Sequence, residues 1–581
     1  MKFSFWISVF MPYSRRFALQ LLVSGGASSL LLAACSSSTT VPFSAGQVGQ
    51  FPNSVWSGDP TDTSIVISTR YIPSGGAPTG TVTLQVATDA AFTQIVKTET
   101  LPVRLNAGSN YRTEPGDYIA RAVVTGLTPG TVYFYRFLGE ESVVSPVGRT
   151  RTFPNDGRPL SFLHISCANE PPFPIGAALL AEASTAEFLS FNGDTVYADR
   201  FWLGLDPENN LEFYRGLYRD QRSPAYAGAD FPKVFEQMPV VVNWDDHEVI
   251  DNYSGQKAIG GSASQLNDET GVVTDVEGLK LLGYQAFFEY NPITPVLNDV
   301  PGVDAQDRLF RSFKCGPDVE VFVLDLRQYR ELAARTPILP ILPPPLTREA
   351  FLASSGLTLT PQQQALLFGP PEVPQAFWEN ELRVKVRPLM GDAQKNWLLN
   401  GLRNSTARFK FIISEFPITV TYFRSNDVWE GYGRERQEVL DFIQNNGIQN
   451  VIFLTGNNHA GCIAQVNPGS SVPVWEVWTG PTGRSVTAIS LNQAGVALGL
   501  PPSGPGSGAQ VYYGIVNSFL AQPAFGGSPI STGNLRFLEL AKPNYNLIQV
   551  SGGSVTIQVK GADGQVITDP LGRRGEITLP A

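Results

Sequence analysis

Histidine is almost missing from this chain: His164, His247 and His459 are the only 3 among 581 residues. Cysteine is nearly as scarce, at 4, and charged side chains make up only 16% of the composition. Basic residues are outnumbered by acidic ones, 42 to 52, for a formal net charge of -10. Each shortage excludes something. A phosphate backbone requires clustered Lys and Arg, so duplex nucleic acid is not the expected partner. Small phosphorylated substrates stay open, because a bound cation can invert the local field. Beyond Cys35, the remaining Cys167, Cys315 and Cys462 are odd in number and scattered, which makes no disulfide framework. Long apolar runs are lacking as well. The run before Cys35 is interrupted by Gly25-Gly26 and several serines, so a permanent membrane span is not expected.

What is plentiful points the other way. Gly at 55, Pro at 45 and a 43% hydrophobic content describe a globular, loop-rich chain, and its length calls for two or more domains. The start reads as an address. Ser14-Arg15-Arg16-Phe17-Ala18-Leu19 looks like a twin-arginine export signal, and Leu32-Ala33-Ala34-Cys35 looks like a lipobox. Residues 1–34 are then a signal peptide, Cys35 a lipidated membrane attachment, and 35–47 a linker. The expected location is periplasmic or cell-surface. Twin-arginine export carries folded proteins, often already metal-loaded, and suits a metalloenzyme with free thiols.

Residues 48–153 read as an immunoglobulin/fibronectin III-like β-sandwich: short alternating runs separated by Gly, Pro and Asp turns. Within Gly126–Phe137, Pro129-Gly130 supplies a turn and Tyr133 a candidate corner tyrosine. From residue 158 to 565 the grammar changes. "LSFLHIS", "EFLSFN", "PVVVNW", "VEVFVL", "FKFIIS" and "NVIFL" each end in a polar cluster, and helical periodicity marks "AQKNWLLNGLRNS" and "GRERQEVLDFIQNNG". Functional groups of sheet-based α/β enzymes gather at the carboxyl ends of strands, so a site is expected there. A Pro-rich stretch from Arg335 to Lys385 is too long for a simple connection and reads as a lid or a surface arm.

The donors at those strand ends are Cys167, Asp194, Tyr197, Asp246, Asn457 and His459. Two adjacent metals need one bridging carboxylate and mixed donors around each. Asp194 and Tyr197, three residues apart, can supply the bridge and a phenolate for one ion. Thiolate, phenolate and imidazole suit a ferric or similar ion, and an oxygen-rich remainder suits calcium or magnesium. The run Val240-Val241-Val242 leads into Asp245-Asp246-His247-Glu248, a concentration of charge that a buried strand tolerates only beside a cation. Asp245 is open as a helix cap, a salt-bridge partner or a site residue. His164, Cys315 and Cys462 read as structural, and Tyr329 and Arg330 as solvent-facing beside the pocket.

In this order, "GDTVYAD", "WDDHEV", "LDLRQYR", "GDAQKNWL", "WEGYGRERQEVLDFI" and "LTGNNHA" resemble the alkaline phosphatase D (PhoD-like) family of metallophosphoesterases. The resemblance implies an α+β fold, with an αββα sandwich behind the N-terminal β-sandwich and iron (Fe3+) and calcium (Ca2+, or another divalent cation) in the site. It implies Cys167, Asp194, Tyr197, Asp246, Asn457 and His459 as metal ligands, and His247 near the leaving group. Glu248 would orient the His247 ring, and Arg327 would hold substrate phosphate. The family's usual pattern has an aspartate where this chain has Asn457, so the site loses one negative charge unless Asp245 turns inward to compensate. The implied activity is that of an exported phosphomonoesterase or phosphodiesterase in which a metal-activated water attacks phosphorus. A phospholipase-type diesterase and a catalytically degenerate surface binding protein are the alternatives.

Overall fold

Alternation of small β-branched residues with polar ones builds the first strands, β1 (Val55–Gly58), β2 (Ser64–Arg70), β3 (Thr79–Ala87), β4 (Ile95–Arg104), β5 (Ile119–Thr125), β6 (Val132–Leu138) and β7 (Gly148–Arg151). The computed structural model describes residues 51–199, 207–255, 257–259, 273–295, 300, 308–332, 385–419, 428–497, 499–520 and 534–581. The signal segment with Cys35, the linker and the Pro-rich stretch up to residue 384 lie outside them. Strands β3, β4, β6 and β7 form a four-stranded antiparallel sheet. It packs on β1, β2 and β5 through Ile65, Ile67, Val82, Leu84, Val124, Tyr135 and Phe137. The Tyr133 hydroxyl accepts a hydrogen bond from Thr128 N at 2.9 Å, tying the corner to the backbone.

β1, β2 and β5 also extend a larger sheet. Strands β8 (Leu160–Ile165), β9 (Leu189–Asn192) and β10 (Val240–Asn243) run parallel to one another, and β10 pairs with β1 at Gly58 and Val240. A Cβ on Gly58 would lie 2.4 Å from Val240 O, so only glycine permits that approach. The N-terminal region is therefore hydrogen-bonded into the same sheet as β8, β9 and β10, a closer join than a spacer would make. A small sheet follows, from β11 (Tyr253–Ser254), β12 (Lys257–Ile259) and β13 (Val273–Asp275).

The second large sheet contains β14 (Arg311–Cys315), β15 (Val319–Val323), β16 (Phe409–Ser414), β17 (Val451–Thr455), β18 (Gly461–Gln465), β19 (Val474–Trp478) and β20 (Asn534–Glu539). Its strands β15, β16 and β17 are again parallel. Finally β21 (Asn544–Ser551), β22 (Ser554–Gly561) and β23 (Glu576–Pro580) return to the first sheet, where β21 lies antiparallel to β8. That sheet runs past residue 565.

The two large sheets face each other across Phe162, Phe188, Val241, Phe411, Ile413 and Ile452. Phe162 meets Phe411 edge-on at 5.1 Å. Helices cover both outer faces. Tyr214, Leu217, Phe231, Phe235, Tyr284 and Phe287 pack against the first sheet, and Leu398, Leu402, Val439 and Ile443 against the second. Layers of helix, sheet, sheet and helix result. Each sheet has a parallel core of four strands, β8, β9, β10 and β1 in the first and β15, β16, β17 and β19 in the second, so their carboxyl ends gather along one edge. Among the described residues no helix is long and apolar enough to cross a membrane.

Candidate metal centre

Backbone conformation marks the site first. Cys167, Asp194, Asn457 and His459 all take positive φ, at 57°, 53°, 61° and 48°. The left-handed region is costly for residues with a Cβ, by about 1–3 kcal/mol in strained cases, although Asn, Asp and His enter it more readily than most. Four such residues at neighbouring strand ends are held there by the surrounding hydrogen bonds. Cys167 N donates to Gly193 O (3.2 Å), Ala168 N to Asp194 O (2.8 Å) and Gly193 N to Asn243 O (3.1 Å). Gly193 is obligatory, with φ 70° and a hypothetical Cβ 2.6 Å from that of Asp245.

One group of donors is Cys167, Asp194 and His459, with a ligand atom of each within 4.8 Å of the others. Tyr197 joins it: the hydroxyl donates to Asp194 Oδ2 at 2.8 Å and lies 3.1 Å from His459 Nε2. His459 Nδ1 lies 2.7 Å from Ser485 O and 3.2 Å from Asn169 Nδ2. Donation of Nδ1–H to that carbonyl turns the Nε2 lone pair toward the cluster, the usual arrangement behind a metal-binding histidine.

A second group is Asp194, Asp246 and His247, within the same 4.8 Å. Asp194 belongs to both. Asp246 Oδ2 accepts from Asn252 N at 2.7 Å, whereas its buried Oδ1 has no hydrogen-bond partner among the described residues. Buried polar atoms are rarely left so, and an acceptor facing a carboxylate-rich pocket fits a cation. The donor chemistry agrees, with sulfur, phenol and imidazole on one side of Asp194 and a carboxylate and imidazole on the other.

The charge distribution needs that cation. Burial, and then Asp245, Asp246 and Glu248, hold Asp194 well above the usual carboxylate range against the pull of His247. Burial and the adjacent Asp194 likewise push the Cys167 thiol up. Asp246 is drawn the other way: Arg327 and His247 overcome its burial and lower it.

Residues 162–497, more than half of the chain, match the PhoD-like phosphatase family, and residues 35–154 match the N-terminal domain of PhoD-like phosphatases. The chain belongs to the PhoD-like phosphatase family. Alkaline phosphatase D of Bacillus subtilis (strain 168) is 27% identical over 435 residues, which cover 71% of this chain and 64% of that relative. A solved structure of PhoD superposes with a TM-score of 0.63 at 22% identity, over 92% of this chain and 90% of that one, and shows the same fold. Purple acid phosphatase from yellow lupin (Lupinus luteus) seeds is more distant, at 9% identity and a TM-score of 0.47 over 90% of this chain and 74% of that one.

Set against the PhoD-like pattern, five of the six expected ligands fall into the two groups. Asn457 reaches the site by its backbone, whose N–H hydrogen-bonds the Cys167 thiol. Three expectations are corrected. Glu248 does not orient His247: its Oε1 accepts from Thr195 N and Oγ1, and its Oε2 from Asp245 N, so it braces the loops after β9 and β10. Asp199 takes that role, with carboxylate oxygens 2.8 and 2.9 Å from His247 Nδ1. Arg327 is fully buried with Nε 2.5 Å from Asp245 Oδ1 and Nη2 3.5 Å from Asp246 Oδ2, so its charge lies against carboxylates of the chain, where a contact to substrate phosphate was expected. Asp245, engaged by Arg327, belongs to neither donor group and does not make up for Asn457.

Arg330 is buried rather than solvent-facing, donating to Tyr253 O at 2.6 Å. His164 is buried beneath the site and meets Ser190 Oγ at 2.9 Å. Sequence reasoning gave no role to Asp199 or Asn169, although Asp199 closes the quoted motif "GDTVYAD" and Asn169 stands two residues after Cys167. Their polar type next to each proposed ligand was the available signal.

Proposed function

We propose that this chain is an exported, metal-dependent phosphoesterase acting on phosphate monoesters or diesters. The carrying observation is the carboxylate of Asp194 shared between two compact donor groups. Cys167, Tyr197 and His459 would hold a ferric ion with Asp194, and Asp194 with Asp246 would hold a harder cation such as calcium. When bound, such a pair neutralises phosphoryl oxygens and lowers the pKa of a water.

The chain's own residues do the rest. Asp199 holds Nδ1 of His247 and thereby fixes the ring plane, which stacks at 4.1 Å on Tyr197. Nε2 is then the atom that gives a proton or hydrogen bond to the leaving oxygen. Asp251 Oδ1 lies 3.9 Å from Nε2. Glu248 keeps the Asp194 and Asp246 loops at fixed separation. The degenerate-binder reading rested on Asn457; against it stand the two donor groups, which other residues form.

The export and lipidation signals at Arg15-Arg16 and Cys35 belong to the same reading, as does an immunoglobulin-like role for residues 51–153. Labelling with radioactive palmitate should be lost in Cys35→Ala. Purified protein should release product from chromogenic monoesters or diesters and lose that activity in chelator. Full activity after exhaustive metal removal would rule the reading out.

A further inference from the structure

Two loops that belong to different sheets meet behind the metal centre. β10 delivers Trp244-Asp245-Asp246 and β15 delivers Leu324-Asp325-Leu326-Arg327. Between them, Asp325 acts as an acceptor for both. Its Oδ1 takes hydrogen bonds from Trp244 Nε1 at 3.0 Å, Arg327 N at 3.2 Å and Gln328 N at 3.1 Å. Asp325 is itself fixed from behind by Gln394, on the helix Gly391–Asn404. Asp325 N donates to Gln394 Oε1 at 2.8 Å, and Gln394 Nε2 donates to Asp325 O at 2.7 Å.

Asp325 itself contacts none of the metal donors; its reach is through Trp244 and Arg327. Asp194, Asp245, Asp246 and Glu248 crowd one buried region and repel one another. Unrestrained, the short segment carrying Asp246 would retreat from Asp194 and open the second donor group. Besides the Glu248 brace between Thr195 and Asp245, two restraints oppose that. Trp244, stacked on Tyr284 at 3.9 Å, is pinned through its Nε1–H. Arg327, whose backbone N–H is set by Asp325, puts its guanidinium on Asp245 and beside Asp246 Oδ2. Asp246 Oδ1 is left aimed at the shared site.

We propose that Asp325 is a positioning residue for the second cation: through Trp244 and Arg327 it sets the distance between Asp246 and Asp194. The inference rests on the two-cation reading above. Outer partners of metal ligands typically change affinity by about 10–100-fold. The Cys167–Tyr197–His459 side gets no support from this clasp and should be indifferent to it.

The test is a metal titration of chelator-stripped full-length chain, with ferric or zinc ion and then calcium, followed by elemental analysis. Wild type should hold two ions. Trp244→Phe, which removes one N–H and keeps the ring packing, and Asp325→Ala should bind the first ion as wild type does and the second about 10–100-fold more weakly. Asp325→Asn keeps an acceptor oxygen for the three donors and should restore the second site to within a few-fold. If Asp325→Ala fails to fold, Trp244→Phe and Asp325→Asn carry the test. Unchanged affinity for both ions in Trp244→Phe, or equal weakening of both, overturns the positioning role. A wild-type chain that never holds a second ion overturns the two-cation reading instead.

Discussion

Three strands of the same sheet end in buried carboxylates that meet opposite fates. After β1, Asp59 receives Arg311 through Nη2 at 2.7 Å and Nε at 3.0 Å, and Thr294 N at 2.8 Å. After β9, Asp194 is crowded by Asp245, Asp246 and Glu248. After β10, Arg327 Nη2 lies 3.5 Å from Asp246 Oδ2, yet Asp246 Oδ1 accepts nothing among the described residues. At Asp59 the chain supplies its own cation, and the product is a weld: Arg311 also reaches Val242 O at 3.0 Å and locks β14 to β10. At Asp194 the cation must come from outside. A buried carboxylate saturated by an arginine is structure, and one crowded by its own sign is a binding site whose cost is recovered when a metal arrives.

The contrast can be broken at four places, taken from the largest expected effect. Asp194→Asn removes the shared ligand, so phosphoesterase activity should fall by about a thousandfold or more, several kcal/mol of charge stabilisation. The melting temperature of its metal-free form should hold or rise, because an uncompensated buried charge is gone. A drop in apo stability would mean that Asp194 is structural after all. Arg311→Met should do the reverse. It strands Asp59 and should cost about 3–5 kcal/mol in denaturant unfolding, while ions bound per folded chain stay the same. Equal losses of stability and metal would erase the distinction between the two regions.

Asp199→Asn sharpens it at His247. With Nδ1 no longer held by a carboxylate, kcat should fall by about 10²-fold or more with metal content unchanged, and KM should move little. Retention of full kcat would return the orienting role to Glu248. The smallest effect is at His164, buried with no charge beside it and pulled down from 6.5 to about 3 by desolvation. The unfolded chain binds that proton near pH 6.5 and the folded chain resists it until about pH 3. Stability from this group is therefore complete above pH 6.5 and lost as pH falls through that window, about 2 kcal/mol by pH 5. His164→Gln should flatten the acid limb of an unfolding-versus-pH curve, and an unchanged slope would count against it.

How much of this was legible beforehand follows from periodicity. Each of the six apolar runs quoted from the catalytic region became a strand of a parallel core, because four to six consecutive β-formers bounded by polar residues have few other folds open to them. The two amphipathic patterns became the helices Gly391–Asn404 and Gly433–Asn445. Donor types at strand ends were legible for the same reason, and Cys167, Asp194, Tyr197, Asp246 and His459 lie close together. The partners of those ligands were not. Whether Glu248 or Asp199 faces the His247 ring depends on the turn after Asp246, and whether Arg327 faces substrate or Asp245 depends on how two sheets stack. Neither is encoded in local spacing. The junction of β1 with β10 was hidden likewise, since a single pair at Gly58 and Val240 leaves no pattern in either segment.

Anomalous diffraction from crystals of the purified, metal-replete chain tests the central claim most directly. Two peaks should appear, one among Cys167, Asp194, Tyr197 and His459 and one between Asp194 and Asp246, with the Asp194 carboxylate ligating both. A single ion that leaves Asp194 uncoordinated, or no ion at all in a catalytically active crystal, would contradict the account.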